Sequence, residues 1–161
     1  MPSKSSAWAA APSSGRAESG RTGNVMTGDR YVEHGGELEL ELTAEAVTGI
    51  FEAALQAFAE LVRPESEGAG EGVAARHQIE LAGSDRAGML VDWLNELVYL
   101  SEVEQFVPGR VEALQVSDDR VRATIVGRRA HPRQLVKAVT LNHLRLEQKR
   151  GICHGRVVLD V

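Results

Sequence analysis

The chain has 161 residues, 25% of them charged and 43% hydrophobic, which is enough for one ordinary domain with a real core and too short to expect two. The formal net charge is −5 with both signs interspersed, and no dense Lys/Arg tract marks an autonomous nucleic-acid-binding protein. Cys153 is the single cysteine, which excludes an internal disulfide and a multi-cysteine zinc site and fits a reducing compartment.

The N-terminal segment is rich in Ser, Ala, Gly and Arg and offers almost nothing to bury, so we expect residues 1–28 to be a disordered tail and 29–161 to form the domain. The apolar run around Trp8 is too short for a signal-peptide core, and no later run is long enough to span a bilayer. We therefore expect a cytoplasmic protein. The sequence leaves open whether translation starts at Met1 or at Met26.

The first half of the domain alternates between strand and helix patterns. Glutamates alternate with leucines over 37–42, which predicts a half-buried strand. Thr43 is the predicted cap of a helix whose apolar stripe ends at Pro64. A loop over 64–75 and a second alternating strand over 78–82 follow.

The next segment predicts a second helix, because apolar residues recur at helical intervals over 89–100. Ser84 is the predicted cap, and Asp85 adds a negative charge that the helix dipole favours. Between the apolar positions lies a polar side that is either solvated or used by a partner; its members are Asp92, Asn95, Glu96 and Glu102.

The last part of the chain reads as strands. The runs 110–116 and 121–126 predict a hairpin around a polar turn, and 127–132 an irregular basic connection. A long strand over 134–148 then turns at 149–151 and returns as the last strand, 152–161, beside its predecessor. The predicted fold is a single α+β domain with a mixed or mainly antiparallel sheet packed against two amphipathic helices.

Three segments, taken together and in order, resemble the archease family. They are the helix segment Val91-Asp92-Trp93-Leu94-Asn95-Glu96-Leu97 with Tyr99-Leu100 and Glu102-Val103-Glu104, the run Lys137-Ala138-Val139-Thr140, and the chain end Val157-Val158-Leu159-Asp160-Val161. The likeness runs from about Tyr31 to the last residue, so it covers most of the chain.

The resemblance implies an accessory protein that activates an RNA-splicing ligase in tRNA splicing or RNA repair and is not itself an enzyme. Such a ligase joins 2′,3′-cyclic phosphate or 3′-phosphate ends to 5′-hydroxyl ends, and the accessory protein promotes its guanylylation and multiple turnover. GTP and the catalytic metal then belong to the ligase, and RNA reaches this chain only through the ligase. The expected protein has no nucleotide site of its own and no membrane association.

The resemblance also implies a divalent-metal site. The family binds a metal through an aspartate three residues after the histidine of the first strand region, through the penultimate aspartate and through the terminal residue. These positions correspond to Glu37, Asp160 and Val161, with His34 and Lys137 as supporting or partner-facing residues. Oxygen ligands suit calcium or another hard cation.

The sequence departs from the family pattern at two points. The family reads histidine, threonine, alanine, aspartate where this chain has His34-Gly35-Gly36-Glu37, and we expect the glycines to let the backbone shift for the longer glutamate. The family histidine after the Lys-Ala-Val-Thr run comes one position earlier than His143. Because adjacent strand residues point to opposite faces, His143 can replace it only through a bulge.

Two other functions are compatible with the residues. One is a stand-alone metal-dependent phosphohydrolase using a cation held by Glu37 and Asp160, although no convincing general base accompanies them. The other is a chaperone-like binding module, although no long exposed apolar surface is evident. The sequence has no phosphate-binding Gly-rich loop, dinucleotide fingerprint or Gly-x-Ser-x-Gly motif.

Overall fold

The structure is a computed structural model that describes residues 28–64, 72–133 and 135–161, so nearly all of the predicted disordered tail lies outside the described residues. Within this part of the chain there are seven strands and two helices. They are β1 (Gly28–His34), β2 (Glu37–Ala44), α1 (Val47–Val62), β3 (Val73–Ala82), α2 (Arg86–Glu104), β4 (Phe106–Val116), β5 (Arg120–Arg129), β6 (Ala138–Lys149) and β7 (Ile152–Asp160).

The strands form two separate antiparallel sheets. A four-stranded sheet has the order β1-β2-β7-β6, and a three-stranded sheet has the order β3-β5-β4. Both helices contact both sheets and so lie between them. The prediction of an α+β domain with two helices and antiparallel strands is confirmed, with the strands divided over two sheets.

The alternation in β2 decides which face of the four-stranded sheet is buried. Leu38, Leu40 and Leu42 point to the helices and are buried, while the intervening glutamates face outward. The strand continues to Ala44, so Thr43 pairs with His154 inside the sheet. The prediction that Thr43 caps α1 is therefore wrong, since Ala46 occupies that position without a side-chain cap.

The core lies in the helix layer, where α2 presents Trp93 to α1. Trp93 is fully buried, its indole N–H donates to the backbone carbonyl of Phe51 at 3.0 Å, and its ring meets the Phe51 ring edge-on with centroids 5.7 Å apart. Cys153 is buried on the inner face of β7, and burial raises the pKa of its thiol. It is an interior side chain, as the sequence suggested.

The start of α2 corrects one residue of the sequence analysis. Asp85 is the N-cap, and its carboxylate accepts a hydrogen bond from the Gly88 N–H at 2.7 Å. That bond satisfies one of the free N–H groups of the first turn and places a negative charge at the positive end of the helix dipole. The prediction that Ser84 is the cap is wrong, while the helix itself is confirmed.

Asn95 connects α2 to the edge of the four-stranded sheet. Its side-chain amide donates to the Val139 carbonyl at 3.2 Å, and its side-chain oxygen accepts from the Val139 N–H at 3.0 Å. Because β6 is an edge strand, these backbone groups have no neighbouring strand to pair with. Asn95 was predicted to lie on a solvated or partner-facing side of the helix. Its side chain instead hydrogen-bonds the backbone of the edge strand β6.

Strand β6 begins at Ala138 and is interrupted after Thr140. Thr140 pairs with Val158 and Arg145 pairs with Arg156, so residues 141–144 lie opposite the single residue Val157. His143 has a φ of +55° within this bulge. The bulge that His143 needs in order to replace the family histidine is therefore present in β6.

Other strand limits differ from the sequence predictions. Strand β3 begins at Val73 and not at residue 78, and β5 extends to Arg129, so the first half of the predicted irregular connection over 127–132 is β-structure. The β4–β5 hairpin and the pairing of β7 with β6 are confirmed. No helix in the described ranges is long and apolar enough to cross a membrane.

Replacing Asn95 with alanine removes both hydrogen bonds to Val139 and leaves a partly buried N–H and carbonyl unpaired. We expect a loss of about 1–3 kcal/mol in the free energy of unfolding, measured by urea denaturation. The matched control is Asn142→Ala on the same strand, whose exposed side chain should change stability by less than about 0.5 kcal/mol. Equal effects for the two variants would contradict the role assigned to Asn95.

Candidate site at the paired ends of strands β2 and β7

The strand register brings the predicted site residues to one end of the four-stranded sheet. Glu37, the first residue of β2, pairs with Asp160, the last residue of β7. On one side of this pair the backbone of His34 is paired with Glu37, and on the other side Ala138 is paired with Asp160. Residues from the two ends of the domain thus form one row across four strands.

The hydrogen bonds around this row show which kind of antiparallel pair it is. The N–H of Val161 donates to the Gly36 carbonyl at 2.9 Å, so the bond joins the residues just outside the Glu37–Asp160 pair. This is the non-hydrogen-bonded arrangement, in which facing side chains come closest, with Cβ atoms roughly 4.5–5.5 Å apart. Both carboxylates leave the same face of the sheet and both are exposed.

The remaining predicted residues lie at the same end of the sheet. Val161 is half-buried and fixed by its bond to Gly36, which holds the chain end beside Glu37. The N–H of Lys137 donates to the Asp160 carbonyl at 2.7 Å, and the Lys137 side chain is exposed. The structure describes the backbone of His34 and not its side chain.

The two glycines before Glu37 form the turn between β1 and β2. Gly35 has a φ of +46° and Gly36 a φ of +94°, as the two central residues of a tight hairpin of the I′ type require. The β1–β2 register runs without interruption up to the His34–Glu37 pair. The glycines therefore make the turn, and the expectation that they shift the backbone for the longer glutamate stays a prediction.

The three glutamates of β2 differ in their partners. Arg156 on β7 contacts Glu39 at 3.2 Å and Glu41 at 3.7 Å, which balances charge in the middle of the strand. Among the described side chains, no cationic group lies within ion-pair distance of Glu37 or Asp160. Two like charges directly opposite each other destabilise a sheet, so a bound cation would stabilise this pair.

The oxygen donors at this row suit a hard cation, but two side-chain carboxylates alone do not make a metal site. Glu37 and Asp160 offer carboxylate oxygens, and the backbone of Val161 is held next to them by its hydrogen bond to Gly36. In the part of the chain that the structure describes, no group of three or more His, Cys, Asp or Glu side chains could hold a metal ion. The residues therefore fit a calcium-like ion only if the chain end takes part.

Arg156, which lies on β7 opposite Glu41, was not among the residues predicted from the sequence. One feature of the sequence could have indicated it: Arg156 lies four residues before Asp160, so both residues are on the same face of an alternating strand. Counting back from the Glu37–Asp160 pair places Arg156 opposite Glu41. This position follows only once Glu37 is known to pair with Asp160, and the sequence alone does not show that pairing.

The fold and this row define a class of protein: an α+β domain with helices between two antiparallel sheets and an exposed carboxylate pair made by strands β2 and β7. The family model of the "Archease protein family (MTH1598/TM1083)" matches residues 30–161. The chain belongs to the archease family, and the resemblance drawn from its three motif segments is confirmed.

Several archaeal relatives are similar over most of their length. The protein archease of Methanosarcina mazei is 29% identical over 140 residues, covering 81% of this chain and 94% of that protein. The protein archease of Archaeoglobus fulgidus is 29% identical over 137 residues, covering 82% and 98%.

Two solved structures share the fold. The solution structure of Methanobacterium thermoautotrophicum protein 1598 is similar with a TM-score of 0.64 and 23% identity, covering 83% of this chain and 99% of that one. The crystal structure of a Thermotoga maritima archease, titled a possible chaperone, is similar with a TM-score of 0.56 and 17% identity, covering 82% and 96%. At these identities the likeness concerns the fold alone.

Replacing Arg156 with glutamine removes the cation that contacts Glu39 and Glu41. We expect a loss of about 1 kcal/mol in the free energy of unfolding, greater at low salt, where repulsion between carboxylates is less screened. Urea denaturation at two ionic strengths measures it. The control Arg63→Gln breaks a pair with Glu60 at the end of α1 whose side chains are both more than half exposed, and should cost less. Equal and salt-independent losses would contradict this electrostatic role.

Proposed function

We propose that this protein is a cytoplasmic accessory protein that activates an RNA-splicing ligase in tRNA splicing or RNA repair, by promoting ligase guanylylation and multiple turnover. Family membership supports the class of protein, and the facing Glu37 and Asp160 carboxylates are the observation that carries the proposal. The two acids are exposed at the end of a sheet, where a partner protein can reach them.

The proposed site holds a divalent cation, calcium or another hard ion. Glu37, Asp160 and the terminal carboxylate of Val161 would supply the oxygen ligands. When bound, the ion neutralises the repulsion between the two facing carboxylates. The hydrogen bond from Val161 to Gly36 fixes the chain end, and the His34–Glu37 pairing fixes the start of β2, so both carboxylates are held by backbone.

Lys137 brings a positively charged side chain to this end of the sheet. Its backbone is bound to Asp160, and its exposed ammonium is free of any ion pair with the described side chains. A lysine there could balance the carboxylates when no metal is bound, or contact a phosphate group of the ligase-bound nucleotide. The proposed docking position is therefore the mouth of the ligase active site, with GTP and the catalytic metal supplied by the ligase.

The exposed apolar surface supports a dedicated partner over a general chaperone-like activity. The large exposed hydrophobic side chains in the described ranges are Val73, Tyr99, Val103 and Leu141. Only Tyr99 and Val103 share a helix, one turn apart, and the other two lie on different strands. Capture of unfolded proteins needs a larger continuous apolar patch.

The proposal predicts that Asp160→Ala strongly lowers stimulation of the ligase. Purified cognate ligase is mixed with GTP, without RNA, and the guanylylated fraction is followed in time with no addition, intact protein or variant. We expect Asp160→Ala and Glu37→Ala to lower the stimulation by at least about tenfold. The control Asp119→Ala removes an exposed aspartate in the β4–β5 turn and should stimulate fully.

The same variants test the metal. Calcium in large excess over its dissociation constant should raise the melting temperature of the intact protein, by the equivalent of about 2.7 kcal/mol at a hundredfold excess, and should not raise that of Asp160→Ala. Full stimulation by Asp160→Ala would remove the site from the mechanism. No stimulation by the intact protein would overturn the function, and phosphodiester hydrolysis without ligase would favour the phosphohydrolase.

A further inference from the structure

The outward face of the three-stranded sheet carries a cluster of arginines that are scattered in the sequence. We call it the arginine face and define it by Arg76 on β3, Arg110 on β4, and Arg120, Arg122 and Arg128 on β5. Residues that alternate with them, such as Ile79, Ala123 and Ile125, are buried against the helices. The arginines therefore point away from the core, on the side opposite to the helix layer.

The strand register brings three of these arginines close together. Val126 on the central strand pairs with Arg76 on one side and with Arg110 on the other. Arg128 lies two residues further along the central strand, on the same face, about 6.8 Å from Val126 along the strand. Since neighbouring strands are roughly 4.8 Å apart, the three side chains arise within about 10 Å of one another.

The carboxylates on this face do not balance its arginines. Glu80 pairs with both Arg120 and Arg122, which lower its pKa and keep it ionised, and Glu112 pairs with Arg76. Among the described residues, no carboxylate lies within ion-pair distance of Arg110 or Arg128. Five arginines against two glutamates give this face a charge of about +3 on a chain whose net charge is −5.

The chemistry of the face indicates what kind of anion it suits. All five cations are arginines, whose planar guanidinium groups bind phosphate through paired hydrogen bonds. Arg128 is half-buried, and its Nε atom is shielded from solvent and has no hydrogen-bond partner within the described ranges. The other outward residues include no aromatic side chain on which a base could stack.

We propose that the arginine face binds the phosphate backbone of RNA without reading its base sequence. The choice of RNA among polyanions rests on the proposed function, which brings this chain to a ligase that acts on RNA. The sequence alone predicts that RNA is held only through the ligase, because it contains no dense Lys/Arg tract. The tract is absent because the arginines come from three strands and meet only in the folded sheet.

The position of the face allows RNA and ligase to be bound at the same time. The helices separate the two sheets, so the outward face of the three-stranded sheet points away from the outward face that carries Glu37 and Asp160. An RNA strand on the arginine face would leave the carboxylate pair open. The protein could then hold substrate near the ligase that it activates.

Fluorescence anisotropy of a labelled 12-nucleotide oligouridylate tests this proposal on the purified full chain, without ligase, from 50 to 300 mM NaCl. We expect salt-sensitive binding that is weakened on the order of tenfold at 50 mM NaCl in Arg110→Gln/Arg128→Gln. Because this double variant neutralises two phosphate-binding groups, the slope of log K against log salt should fall by about 1.4. Arg110→Gln alone changes only an exposed side chain, so it should fold normally and show part of the effect.

The matched control is Arg145→Gln, which removes an exposed arginine from the outward face of the four-stranded sheet and should bind RNA as the intact protein does. Absence of binding at 50 mM NaCl, or equal weakening by Arg145→Gln and Arg110→Gln, would overturn the proposal. So would loss of RNA-free ligase guanylylation in the double variant, since the face would then bind an acidic protein surface. Weakened RNA binding with full ligase guanylylation in the double variant supports the proposal. Asp160→Ala should instead bind RNA normally and fail to stimulate guanylylation.

Discussion

The antiparallel pairing of β2 with β7 is the constraint on which the candidate site depends. It joins the start of the domain to its end, and the bond from Val161 to Gly36 sets Glu37 opposite Asp160. A shift of one residue would turn the β2 leucines outward and expose their apolar surface. The hydrophobic alternation that stabilises the core thus also fixes the geometry of the carboxylate pair.

Much of the fold could be predicted because its signals are local. The leucine–glutamate alternation of β2 and the apolar spacing around Trp93 each follow from the period of the element they belong to. Boundaries were less accurate: Thr43 continues β2 instead of capping α1, because the pairing with β7 extends the strand past the alternating run. At the start of α2, Ser84 and Asp85 are both residue types that cap helices. Only the backbone conformation shows that Asp85 occupies the N-cap position.

The candidate site could be predicted only in part, because its geometry comes from contacts between distant residues. The resemblance indicated Glu37 and Asp160. No local pattern shows that Arg156 contacts Glu39 and Glu41 and does not contact the Glu37–Asp160 pair. The motif helix shows the same limit. Trp93 and Asn95, which carry the family resemblance, hydrogen-bond the backbones of α1 and β6, so part of the motif stabilises the fold that presents the site.

The most direct test of this account is the Hα–Hα nuclear Overhauser effect between Glu37 and Asp160 in solution. In a non-hydrogen-bonded antiparallel pair the two Hα atoms point toward each other across the strands, so this cross-peak should be strong. A strong Hα–Hα cross-peak from Asp160 to Gly36 or Leu38, with none to Glu37, would show a different register. The carboxylate pair would then not exist, and the proposed metal site and its role in ligase activation would have no structural basis.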